Sequence, residues 1–296
     1  MCRWLAYSGA PILLDEVLFK TDHSLIDQSL CAKDPSSTTN GDGFGIGWYG
    51  TRDVPGVYKD IRPAWNDRNL QALTAQIESS MFLAHVRATT GSPVQRTNCH
   101  PFNHQKWLFV HNGLINDYAT LHRDLAFAVS PELFPLIGGT TDSELMFFLA
   151  LSFGMDGDVQ AGVARMAGLV EHIAEKHGVE NALQMTLGIS DGVSLYAVRY
   201  STEGKSRSLF YSASRDATME IAPDAAISVD RRLLTLFQRS FPEVKKFIPL
   251  PRYHRLRMND DVMPTIDQLP DHSLSQLFDN TTWEAANAAG TLMPVQ

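Results

Sequence analysis

The stretch Gly43-Phe44-Gly45-Ile46-Gly47-Trp48 constrains the fold more than any other. Successive residues of a strand point to opposite faces, so glycine at alternate positions strips one face of side chains. Glycine inside a strand marks the close approach of another backbone or a ligand, and that is the expectation here. The segment also contains Gly45-x-Gly47-x-x-Gly50, the spacing of a dinucleotide-binding fingerprint. That fingerprint must open a helix, and Thr51-Arg52-Asp53-Val54-Pro55-Gly56 cannot start one, so the match is rejected.

Around this strand the chain reads as strands, then helices, then strands. Residues 2–8 alternate as a strand that breaks at Ser8-Gly9-Ala10-Pro11. His23 to Ala32 and Asn66 to Ser80 have helical spacing, the latter with Asp67 near its start. Val57–Arg62 and the apolar Met81–Val86 read as strands, and Ala88–Gln105 as a long loop of the kind that is functional or mobile. Trp107–His111 is a strand expected to stop at Asn112-Gly113. Helices start at Asn116, Ser130, Leu145 and Asp158, then come strands at 183–189, 194–200, 208–212 and 226–229, with edge strands at 247–257 and 262–266. This order predicts an α+β fold with helices outside antiparallel sheets, not a doubly wound parallel sheet. No linker divides the chain.

The net charge is −8 without a Lys/Arg block, which gives no electrostatic reason to expect a nucleic acid or an anionic membrane as partner. No apolar run reaches the length of a membrane span, and no signal peptide opens the chain. The three cysteines are Cys2, Cys31 and Cys99, a set too sparse for a disulfide framework and suited to a reducing compartment, with cytoplasm the expectation.

Five segments carry chemistry. Removal of Met1 would leave Cys2 with both a thiol and a free α-amino group. An α-amino group titrates at about 7.7–8.0, so it can serve as the base that a thiol nucleophile needs. In His85-Val86-Arg87-Ala88-Thr89-Thr90-Gly91 a buried strand delivers Arg87 to the start of a loop. Its planar fork suits a carboxylate, and a surface salt bridge is the plainer alternative. His111-Asn112-Gly113 reads either as a tight turn or as an oxyanion hole, with the Asn112 amide and the Gly113 N–H as donors. Thr141-Asp142-Ser143-Glu144 matches a capping box in which Glu144 reaches back. It leaves Asp142 in the first helical turn, where a carboxylate could hold a substrate ammonium. Cys99, His100, His104 and His111 raise a zinc hypothesis, but their spacing fits no standard site and Pro101 breaks any helix that would align them.

Taken in order, Cys2, His85-Val86-Arg87-Ala88-Thr89-Thr90, Pro101-Phe102, His111-Asn112-Gly113 and Thr141-Asp142-Ser143-Glu144 resemble the class II glutamine amidotransferases, the N-terminal-nucleophile amidohydrolases. The resemblance covers roughly residues 2–215. The Gly41 to Trp48 stretch is similar to stand-alone members, which include ergothioneine-pathway γ-glutamyl amide hydrolases and the yeast-type glutathione-degradation subunit. The resemblance implies a four-layer αββα sandwich. It implies Cys2 as nucleophile and its amino group as base, Asn112 and Gly113 as the oxyanion hole, Arg87 and Asp142 on the α-carboxylate and α-ammonium of a glutamyl group, and Thr90 lining the pocket. No cofactor and no metal is expected. Gly91-Ser92 departs from the family pattern, which has glycine second.

One sandwich domain is expected over 2–257, with 258–296 as an edge strand and polar tail packed on it. The expected activity is hydrolysis of glutamine or another γ-glutamyl compound, with the leaving group read by the Gly43–Gly47 strand and the Ala88–Gln105 loop. The alternatives are an ammonia-donating subunit with an acceptor-enzyme partner, and a non-catalytic glutamyl-binding subunit. A homo-oligomer is a further possible assembly.

Overall fold

The computed structural model describes residues 2–21, 24–30, 39–89, 91–204 and 209–212, together with the backbone of short strands at 234–237, 247–249 and 253–254. The elements run in this order: β1 (Arg3–Leu13), α1 (Leu14–Leu18), α2 (Leu25–Leu30), β2 (Phe44–Trp48), β3 (Gly56–Asp60), α3 (Arg68–Thr74), β4 (Glu78–Val86), β5 (Phe102–His104) and β6 (Trp107–Ile115). Then come α4 (Tyr118–Phe127), α5 (Asp142–Ser152), α6 (Val159–Lys176), β7 (Leu183–Ser190), β8 (Leu195–Ser201), β9 (Phe210–Ser212), β10 (Leu234–Phe237), β11 (Phe247–Pro249) and β12 (Tyr253–His254). One sheet has the order β11-β9-β10-β1-β4-β2-β3, the other β12-β8-β7-β6-β5. Every pairing is antiparallel.

Strand periodicity sorts the core into three layers, as the α+β sandwich requires. Leu5, Tyr7, Phe44, Phe82 and Val86 face α1, α2 and α3. Phe109, Met185, Leu187 and Ile189 face α4, α5 and α6. The alternate residues Trp4, Ala6, Leu83, Leu108, Val110 and Ala197 meet between the sheets. Each large apolar side chain fully buried in these layers contributes about 1.5–3 kcal/mol. Trp4 also ties the sheets together by a polar contact, its indole N–H donating to the Thr186 carbonyl at 3.3 Å. The Tyr49 hydroxyl does the same at the end of β2, bonded to the Lys106 and Ser190 carbonyls at 2.7 and 2.8 Å.

The glycine strand is β2, paired on both sides by β3 and β4. Its bare face is filled by protein. A Cβ on Gly45 would collide with the His100 carbonyl, and one on Gly47 with Leu108 and Pro101. The close approach is therefore that of the other sheet and of the loop leading into β5. The expectation that these glycines read a leaving group is corrected, because no room remains over them.

Several boundaries also differ from expectation. β1 continues through Gly9-Ala10-Pro11, absorbing them as an irregularity between Ser8 and Ile12. The helix expected from Asn66 to Ser80 is only α3, because β4 already begins at Glu78; Asp67 caps it by accepting the Leu70 N–H at 2.7 Å. Asn112-Gly113 is not a turn, since β6 passes straight through it in register with β7. The expected strands at 226–229 and 262–266, and the segment 258–296, lie outside the described residues.

Candidate active site

The candidate residues meet where strands of both sheets end. Cys2 immediately precedes β1 and Arg87 immediately follows β4, and these strands are neighbours, with Arg3 opposite Val86. Periodicity places Cys2 on the same inter-sheet face as Trp4 and Ala6, and Arg87 on the face of Leu83. Asn112 comes from the other sheet on the parity of Leu108 and Val110. The nearly buried Asn112 donates from Nδ2 to the Cys2 carbonyl at 2.6 Å. That bond uses one of two amide hydrogens, so a second donor remains at the residue that carries the thiol. Thr186 on β7 fixes the Asn112 backbone from behind, its hydroxyl donating to the Asn112 carbonyl at 3.1 Å.

Gly113 comes next, with no space for a side chain, because a Cβ would sit on the Gln184 carbonyl and 2.6 Å from His111 Nε2. The buried His111 turns the other way, its Nδ1 2.7 Å from the Ser143 hydroxyl of α5. Thus one strand, β6, carries both proposed oxyanion donors and is locked to the helix that carries Asp142.

The Cys2 thiol is 3.4 Å from both the N–H and the carbonyl of Ala88. Burial pushes its pKa up; the Ala88 N–H and the Arg87 guanidinium draw it back, and the Asp142 carboxylate adds a further upward push. A thiol held protonated at rest needs a local base before it can attack, which is the part assigned to the amino group of Cys2.

Arg87 is buried, not the exposed ion-pair former of the plainer reading. Its Nη2 donates to Ser92 Oγ at 2.6 Å, Pro93 O at 3.2 Å, Thr89 Oγ1 at 3.3 Å and Ser92 O at 3.5 Å, and its Nη1 to Asp42 O at 3.3 Å. All these acceptors are neutral, and among the described residues no carboxylate lies within ion-pair distance of it. A buried cation surrounded only by neutral acceptors favours an incoming anion. Asp142 opens α5 as its first residue. Its Oδ2 accepts the Ile115 N–H of β6 at 2.9 Å and its Oδ1 the Ser143 N–H at 2.7 Å, which aims the carboxylate while leaving lone pairs for an ammonium.

The capping box is only half formed. Thr141 caps the helix by accepting the Glu144 N–H at 3.2 Å, but the Glu144 carboxylate turns to the N–H groups of Gly138 and Gly139, at 3.1 and 2.6 Å. The preceding loop offers two free donors, which take the carboxylate from the helix N-terminus. Burial pushes the Glu144 pKa up and these two N–H bonds pull it down.

His100 of the zinc hypothesis stacks on His85, with ring centroids 4.1 Å apart. His111 is committed to Ser143. Among the described residues no three His, Cys, Asp or Glu side chains are placed to hold a metal ion. Thr90, a candidate pocket residue, lies outside the described residues. Ser92, Thr186 and Asn98 were missed by sequence reasoning. Ser92 was noted there as a departure from a family pattern and Asn98 as the neighbour of the zinc candidates, neither with this role.

A model of the class II glutamine amidotransferases matches residues 17–234. The chain belongs to this family. A probable glutamine amidotransferase of Saccharomyces cerevisiae, DUG3, is 39% identical over 160 residues, 51% of this chain and 45% of that protein. A gamma-glutamyl-hercynylcysteine sulfoxide hydrolase of Mycolicibacterium smegmatis is 30% identical over 161 residues, 53% of this chain and 65% of that protein. The chain thus spans about half to two thirds of the length of these curated relatives. Among solved structures, a class II glutamine aminotransferase domain protein of Silicibacter pomeroyi superposes with a TM-score of 0.61 at 31% identity, over 80% of this chain and 88% of that one. The glutamine phosphoribosylpyrophosphate amidotransferase of Bacillus subtilis shares the fold at a TM-score of 0.53 and 13% identity, over 80% of this chain and 41% of that one. The αββα sandwich is therefore that of the N-terminal-nucleophile amidotransferases. Among the described residues no helix is long and apolar enough to cross a membrane.

Proposed function

We propose that this amidotransferase-family chain hydrolyses γ-glutamyl amides through an N-terminal Cys2 exposed by removal of Met1. The carrying observation is the Asn112 Nδ2 bond to the Cys2 carbonyl at 2.6 Å, which joins the amide to the residue that carries the thiol, on the strand face shared with buried Arg87. The amino group of Cys2 takes the thiol proton. The sulfur attacks the γ-carbonyl carbon, and the oxyanion receives the second Asn112 N–H and the Gly113 N–H. The proton passes to the leaving nitrogen as the C–N bond breaks, releasing ammonia or an amine. Water then adds to the thioester, splits the C–S bond and frees glutamate, returning the thiol. Arg87 holds the α-carboxylate and Asp142 the α-ammonium of the glutamyl group, as charge-assisted contacts.

Water as acceptor is supported by the name of the mycobacterial relative, a hydrolase of a γ-glutamyl compound. The name of the yeast relative leaves room for ammonia transfer to a separate acceptor protein. Incubation of the purified chain with glutamine and a series of γ-glutamyl amides and peptides separates these. Glutamate release from at least one compound without any partner is expected. Silence until a partner protein is added would replace the hydrolase with an ammonia-donating subunit. Mass spectrometry of the active preparation should show Met1 absent, and full activity with Met1 retained would remove the amino group from the mechanism.

A further inference from the structure

Asn98 immediately precedes Cys99 and His100 of the zinc hypothesis, and the proposed chemistry does not use it. It is fully buried and spends its amide on two loops. Its Nδ2 donates to the Pro93 carbonyl at 3.0 Å and to the Thr140 hydroxyl at 3.2 Å, and its Oδ1 accepts the Thr140 N–H at 2.8 Å. The Pro93 carbonyl is one of the acceptors that hold the Arg87 guanidinium. Thr140 stands two residues before Asp142. Gly139 packs directly on the amide, since a Cβ there would collide with Asn98 Oδ1. The same loop is held from the helix side by Glu144 through Gly138 and Gly139.

We propose that Asn98 is a positioning residue that holds the two halves of the glutamyl clamp in register, fixing the Pro93 carbonyl against Arg87 and the Thr140 backbone ahead of Asp142. The inference rests on the γ-glutamyl reading of the site. The position demands a planar group with donors on one side and an acceptor on the other, at one methylene from the backbone. Asparagine supplies this; aspartate lacks the donors and glutamine is a methylene too long. Two charged groups that must grip one small zwitterion gain from a fixed separation, because a displacement of about 1 Å already degrades binding and orientation. Loops alone do not hold such tolerance, and a buried, fully satisfied amide does.

The test compares two alkylating reagents on Cys2, with mass spectrometry of the Cys2 peptide as the readout. 6-Diazo-5-oxo-L-norleucine carries the α-amino and α-carboxylate groups; iodoacetamide carries neither. Asn98→Ala should slow labelling by the glutamine analogue about tenfold or more, the equivalent of losing one to two neutral hydrogen bonds. Labelling by iodoacetamide should stay within about twofold of wild type, since nothing in the clamp touches that reagent. Thr140→Ala, at an exposed position, should slow the analogue about two- to threefold by removing one of the three contacts. An unchanged analogue rate in Asn98→Ala, or an equal loss for both reagents in folded protein, overturns the positioning role. Should Asn98→Ala fail to fold, Thr140→Ala decides alone, and an unchanged analogue rate there overturns it. Wild-type protein that reacts with iodoacetamide but resists the analogue would instead sink the γ-glutamyl reading.

Discussion

Cys2 and Asn112 are joined directly to each other across the two sheets, whereas the Arg87 side chain and the approach to Asp142 are held by loops. The first pair is joined by one bond of 2.6 Å between sheets; Asn112 is paired with Thr186 in the ladder, and Cys2 immediately precedes Arg3, which pairs with Val86. Arg87 leaves β4 and spends its guanidinium on carbonyls and hydroxyls of the 89–93 segment and Asp42. Asp142 begins a helix whose approach loop is pinned by Asn98 and Glu144. A strand ladder fixes a reacting atom with little tolerance. A loop fixed by side chains can be re-tuned residue by residue, which suits the half of a site that reads a substrate. The difference teaches that damage to the first half should appear in the chemical step and damage to the second in binding.

The largest expected effect is Cys2→Ala, which should abolish glutamate release while leaving γ-glutamyl binding by calorimetry largely intact. Normal turnover in this variant would dissolve the comparison, since no nucleophile would then reside in the strand-built half. Next, Asn112→Ala should lower kcat by about 100-fold, the scale of losing one oxyanion donor, with KM little changed. An effect confined to KM would move Asn112 into the binding half. In contrast, Arg87→Gln and Asp142→Asn should each raise KM by about 10- to 100-fold through loss of a charge-assisted contact. Steady-state kinetics on a γ-glutamyl p-nitroanilide measures both sets together. A fall in kcat with KM unchanged in either charge variant would erase the division of labour.

The two halves were also unequally legible in the sequence. Cys2, Asn112, Gly113, Arg87 and Asp142 could be named because each carries chemistry in its own side chain or backbone and lies in a short motif. The layered fold was legible from strand alternation and the order of elements. Partnership could not be read. Cys2 and Asn112 are separated by 110 residues, and Asn98 and Thr140 by 42. Only sheet pairing and loop packing bring such residues together. For the same reason the Asn112-Gly113 dipeptide looked like a turn. Its local preference was overridden by pairing of β6 with β7, where glycine is needed because a Cβ would collide with the Gln184 carbonyl. Glu144 was misread because a capping box is a local pattern, and two free N–H groups upstream outcompeted it.

The boundary between the halves can be probed by acid, with the smallest effect at neutral pH. His85 lies on β4, and His100 in the loop entering β5, and their rings stack at 4.1 Å. Burial lowers the pKa of both, His85 to about 3 and His100 well below its usual value. A hydrogen bond with the His111 backbone pulls His85 back up, but the charges of Arg87, Lys59 and the His111 ring lower both groups, and His85 lowers His100 further. Both His100 ring nitrogens are buried without a hydrogen-bond partner among the described residues, which leaves a charged ring there nothing to satisfy it. In the unfolded chain a histidine titrates near about 6.5. Between that value and the folded one the unfolded state binds more protons, so stability rises with pH and is lost on acidification. Each such histidine should steepen the decline by about 1.4 kcal/mol per pH unit within its window, while the stability at pH 7 and above is untouched. Denaturant melts at pH 7, 6, 5 and 4 should therefore show a shallower acid slope in His100→Phe than in wild type, whatever the offset at pH 7. Parallel curves would mean that the ring stack does not stay neutral as the strand-built and loop-built halves close on each other.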